Sequence, residues 1–126
     1  MGISVRWWDD SETILIYTFV SPWTVEDIYS VFAVSDGLVD NAGTFSIVFD
    51  VSKGLRFPPD LLSAVDFLRQ RARNDVHVRV FVGDQKYPRM FVNIIRQFVP
   101  QLKQNVYFVD TVEEAVCLIH RTDSAC

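Results

Sequence analysis

The side chains able to do chemistry are few in this chain, and their spacing excludes more than it supports. Gly2, Gly37, Gly43, Gly54 and Gly83 stand too far apart to write either G-x-G-x-x-G or G-x-x-x-x-G-K, the loops that cradle nucleotide phosphates. His77 falls in a strand-like stretch and His120 at the end of a helix-like one, where a cation meets a favourable dipole. Neither stands in ligand spacing, so no metal site is expected. Cys117 and Cys126 lack C-x-x-C spacing. Cys117 reads as a small apolar filler on a helix face, and an exposed Cys126 suits a reducing compartment. No serine occupies a G-x-S-x-G elbow. With no convergent acid, base and nucleophile, no catalytic residue and no cofactor are expected.

What remains is the rim where strands feed helices, the place open α/β sheets use for ligands. Two stretches reach it, Asp50 to Asp60 and Gly83 to Arg89. They supply Asp50, Ser52, Lys53, Arg56, Phe57 and Asp60 from the first, and Gly83, Asp84 and Lys86 from the second, as the candidate partner- or ligand-binding residues. Lys53, Arg56, Lys86 and Arg89 could together hold an anion near two helix starts, against the plainer reading of solvated loop charges. Asp50 as a phosphoryl acceptor would need an acidic pair after the strand that precedes the first crossover helix. Ser21-Pro22-Trp23 stands there instead, so that chemistry is rejected.

The elements that position this rim follow from periodicity. Ile3, Val5 and Trp7 alternate with Ser4 and Arg6, Asp9 to Glu12 offers turn chemistry, and Thr13 to Val20 resumes as a strand, which together make a hairpin. Thr24 with Asp27 three residues on predicts a capped helix with Val25, Ile28 and Phe32 on one face, ending near Asp36-Gly37. Thr44 to Val51 is apolar on both alternating sets, as a central covered strand is. Ser52 to Pro59 reads as a loop, and Asp60 opens a helix with Leu61, Val65, Leu68 and Ala72 inward and Arg69, Arg71 and Arg73 outward. Val76 to Val82 alternates as a strand. Pro88 begins a helix striped by Phe91, Ile94, Ile95, Phe98 and Leu102, with a kink at Pro100. Val106 to Val109 is a short strand, and Thr111 with Glu114 makes a capping box for a last helix bearing Val112, Ala115, Val116 and Ile119.

The order ββαβαβαβα implies an α/β fold with a mixed, mostly parallel five-stranded sheet and four helices, since strand, helix and strand in succession require parallel pairing with right-handed crossovers. At 126 residues one domain spans 1–126, with a polar tail from about residue 121. A net charge of -4 and a pI near 5.0 oppose binding to a phosphate backbone, so no nucleic acid is expected. Apolar runs such as Phe45 to Phe49, broken by Ser46, fall far short of the ~20 residues that cross a membrane. Neither a signal peptide nor an acylation signal is written at the N-terminus, where Arg6 stands in place of Ser or Thr. A cytoplasmic protein is expected.

The element order and the Asp50-Val51-Ser52 strand end resemble the STAS family, the SpoIIAA-like anti-sigma-factor antagonist domains, and within it the divergent STAS/SEC14-like set, over nearly the whole chain. The resemblance implies a SpoIIAA-like fold and a non-enzymatic regulatory module. Its partner would be a protein, a kinase-type regulator or sigma-factor pathway component. In the family a serine at the start of the next helix is phosphorylated. This chain reads Phe57-Pro58-Pro59-Asp60 there, so the switch residue is missing; Asp60 would set a fixed negative charge in its place, against the plainer reading of a helix cap. Ser52 and Ser63 are the nearest hydroxyls. The docking surface would comprise Ser52 to Asp60, the helix Asp60 to Arg73 and Gly83 to Arg89, with Trp8, Trp23, Phe57 and Tyr87 as aromatic anchors. A homodimer through the edge strand Ile3 to Trp8 is expected alongside it. The alternative is a lipid, nucleotide or anion held in a cleft at the same rim.

Overall fold

The computed structural model describes residues 2–40, 43–53, 58–71, 76–83, 93, 97 and 105–123. The opening alternation becomes β1 (Ile3–Trp7), antiparallel to β2 (Ile14–Val20) in a register running from Ile3 opposite Phe19 to Trp7 opposite Leu15. Parallel pairing then adds β3 (Ser46–Lys53), β4 (Arg79–Val82) and β5 (Val106–Val109). The five strands lie side by side in chain order, so β3 is central.

A strand points successive side chains to opposite faces, and here the two faces have separate cores. One carries Ile3, Leu15, Tyr17 and Ile47 beneath α1 (Val25–Val39) and α2 (Val65–Arg71). The other carries Ile14, Ile16, Val48, Val80 and Val82 beneath α3 (Val112–Asp123), through Ala115, Val116 and Ile119. Right-handed crossovers between neighbours taken in order must fall on one face. This is why α1 and α2 share a side, whereas α3, which joins no two strands of the described sheet, takes the other. Across the first face Tyr17, Phe49, Phe81 and Phe108 stack from strand to strand at centroid spacings of 5.3, 4.8 and 5.6 Å, geometry that adds to simple burial.

The fold is thus α/β with a mostly parallel mixed sheet and three described helices. The expected helix from Pro88 to Leu102 lies outside the described residues apart from Asn93 and Gln97, and the tail beyond 123 lies outside them altogether. Several boundaries differ from those read in the sequence. The first helix does not end at Gly37 but runs to Val39, because Leu38 and Val39 pack onto the core and that burial outweighs the ~1 kcal/mol a helical glycine costs. β3 starts at Ser46 and continues through Ser52 and Lys53, which were read as loop. The helix expected from Asp60 begins as a 3-10 turn, Leu61–Ala64, with Leu61 and Ala64 buried, and becomes α2 only at Val65. Of the strand read from Val76, only Arg79–Val82 is regular, and His77 precedes it, its amide donating to the Phe45 carbonyl at 2.9 Å. Cys117 is not a free filler: it is disulfide-bonded. That removes the free-cysteine argument for a reducing compartment.

Candidate functional site

The carboxyl ends of β2, β3, β4 and β5 meet at one edge of the sheet, and β3 delivers the central residues. Between Thr18 opposite Asp50 and Val20 opposite Lys53 the register shifts, so β3 holds one residue more than β2. Such a bulge frees a backbone amide from the ladder. The Asp50 side chain takes it: Oδ1 accepts from the Ser52 amide at 3.1 Å and from the Ser52 hydroxyl at 2.6 Å. Asp9 and Ser11 repeat the arrangement in the β1–β2 turn at the opposite end of the sheet, at 3.0 and 2.5 Å. The Asp-x-Ser pairing is therefore a local device for backbone that leaves the ladder, and position alone distinguishes Asp50-Val51-Ser52.

Gly83 ends β4 with φ +140, and a Cβ built there would stand 3.1 Å from both Cα and N of Ser52. Only a residue without a side chain allows that backbone conformation and that approach. The Gly83 amide donates to the Val109 carbonyl at 3.1 Å, and the Ser21 amide to the Lys53 carbonyl at 2.8 Å. Four strand ends are thereby tied together, with Asp50, Ser52 and Gly83 in one cluster and Lys53 bound through its backbone to the β2 end.

Beside this cluster the loops after β2 and β3 close on a cleft of about 330 Å³, lined by Pro22, Trp23, Thr24, Glu26, Pro58, Pro59 and Asp60. Thr24 caps α1 in a reciprocal box, its hydroxyl accepting from the Asp27 amide at 3.2 Å while Asp27 accepts from the Thr24 amide at 3.0 Å. Asp60 joins this cleft through the turn that opens α2, where its carbonyl accepts from Ser63. Trp23, a candidate either for an anchor or for the core, belongs to the core at 4% exposure: its ring meets Phe19 edge-on at 5.0 Å and lines the cleft from within. Arg56, Phe57, Asp84, Lys86, Tyr87 and Arg89 lie outside the described residues. Trp8, at the other end of the sheet, has no part in this edge.

Sequence reasoning missed Pro22, Thr24 and Glu26 as part of the rim. The signal was there: Ser21-Pro22 follows directly on a strand that turns out to be parallel to β3, and such a strand ends on the ligand side. Among the described residues no group of three His, Cys, Asp or Glu side chains could hold a metal ion, and no helix is long and apolar enough to cross a membrane. No family model matches the chain, and neither a curated protein nor a solved structure does.

Proposed function

We propose that this chain is a non-enzymatic regulatory module that docks a protein partner at the carboxyl edge of its sheet, in the manner of the STAS-type anti-sigma-factor antagonists it resembles. The observation that carries the reading is the convergence at that edge of the Asp50–Ser52–Gly83 cluster and the proline-walled cleft that includes Asp60. Prolines and a capped helix start form a stiff surface, which loses little conformational entropy when a partner binds. A kinase-type regulator or sigma-factor pathway component is the partner the resemblance suggests. With Asp60 in place of a phosphorylatable residue, the edge keeps one charge state and docking is constitutive. A cytoplasmic setting goes with that role and rests on the resemblance.

The test is capture of a partner by the immobilised chain, compared with Asp60→Ala and Phe57→Ala variants. Binding should weaken about tenfold or more if the rim is the interface; unchanged affinity removes this surface from the account. The cleft itself favours a second reading, a small apolar ligand such as a lipid held between Pro22 and Pro59, while the Glu26 and Asp60 carboxylates in its lining oppose a nucleotide or anion. Native mass spectrometry of freshly isolated protein decides that one, since a bound metabolite would add a discrete mass and raise the melting temperature.

A further inference from the structure

The margin of the sheet formed by β1 lies away from the carboxyl edge and is independent of the docking reading. β1 is a terminal strand in the sheet order. The Val20 amide donates to Gly2 and the Trp8 amide to Ile14, at 2.7 and 2.8 Å, so the even-numbered residues of this strand exchange hydrogen bonds with β2. In an antiparallel pair the intervening residues then turn their N–H and C=O groups outward. These are Ile3, Val5 and Trp7. Arg6 bonds the Trp7 carbonyl through Nη1 at 3.2 Å, with its guanidinium 5.8 Å from the centre of the Trp8 ring. A carbonyl oxygen has a second lone pair, so this contact leaves the ladder position open.

Above the same margin runs α1. Its Asp27 accepts from the Gly2 amide at 3.4 Å, and Val34, two turns further along that flank, is 52% exposed. Between Asp27 and Asp36 the helix carries no charge, and β1 carries no carboxylate. In a chain of net charge -4 a second copy meets net repulsion, which is weakest where carboxylates are few, as along this margin.

We infer that β1 is a pairing edge for a second copy of this chain, in antiparallel register about Val5. That register matches every outward group: Val5 faces Val5 of the second copy, and Ile3 faces its Trp7. Arg6 then stands across from Ser4 rather than another Arg6, which avoids a like-charge pair. A two-fold axis makes one surface complement itself, and here it joins two five-stranded sheets and brings the uncharged α1 flanks together at Val34.

Sedimentation velocity on the full chain over a wide concentration range tests the inference. The wild type should sediment as a dimer at high concentration. Val5→Pro takes away an outward N–H that β2 does not use and also alters a side chain packed on the core, whereas Val34→Glu adds charge at an exposed site outside both cores. Both should sediment as monomers with wild-type circular dichroism. A wild type that is monomeric at every concentration overturns the inference. So does a dimer that survives Val34→Glu, and that variant decides alone if Val5→Pro does not fold.

Discussion

Tyr17 shows how one buried polar group is managed. It is 3% exposed beneath α1, close to the buried Ser35 and Arg79. Burial pushes its phenol up to about 12, with the Ser35 hydroxyl working against that rise. A raised folded-state value means that the fold favours the neutral phenol. The stabilisation is complete below the ordinary value of 10.0 and is lost as pH climbs from there through about 12. The displacement corresponds to roughly 3 kcal/mol. Tyr17→Phe cannot ionise, so its unfolding free energy should fall less steeply across this alkaline window than that of the wild type. Equal slopes in urea titrations at each pH would show that Tyr17 is not held neutral by the fold. At the same scale, Asp50, Ser52, Asp60 and Gly83 were readable as rim residues from their place between strand and helix. Trp23 was not, because an aromatic in a turn can face either way and only Phe19 settles which.

Among the elements, α1 depends most on its first turn. The box between Thr24 and Asp27 uses orphan amide groups that the helix itself cannot satisfy. It also fixes the wall of the cleft. Thr24→Ala should cost about 1 kcal/mol in urea unfolding, whereas Thr24→Ser should restore most of it; an Ala variant as stable as the wild type would mean that the box contributes nothing. The last helix is the converse case. Thr111 accepts from the Glu114 amide at 3.1 Å, but the reciprocal carboxylate bond is not formed among the described residues. The box expected from Thr111 and Glu114 is thus half present, and the one between Thr24 and Asp27 is complete. Residue types announce a cap, but side-chain geometry decides how much of it forms.

For the whole molecule, two cores on opposite faces of one sheet raise the question of whether they melt together. They share every backbone hydrogen bond of β2, β3 and β4, so loss of α3 should undermine both. Ile119, 2% exposed on the buried face of α3, should cost about 2–5 kcal/mol when replaced by Ala, the span of large-to-small core changes according to how far the site collapses. Near- and far-ultraviolet circular dichroism should then shift as one transition; two separate transitions would mean that the α3 face folds independently.

The amino-acid sequence by itself determined the order of the described strands and helices, the hairpin, the central place of the Thr44 to Val51 stretch and the location of Asp50 and Ser52 near a carboxyl edge. These are consequences of period, caps and turn residues, which act within a few neighbours along the chain. Only the tertiary structure decided that Ser52 and Lys53 stay in the sheet and that α1 continues past Gly37. It also decided that Pro22 meets Pro59 across a cleft and that Gly83 lies on Ser52. Each of these depends on an approach between segments distant in sequence, and burial at that approach outweighed the local preference.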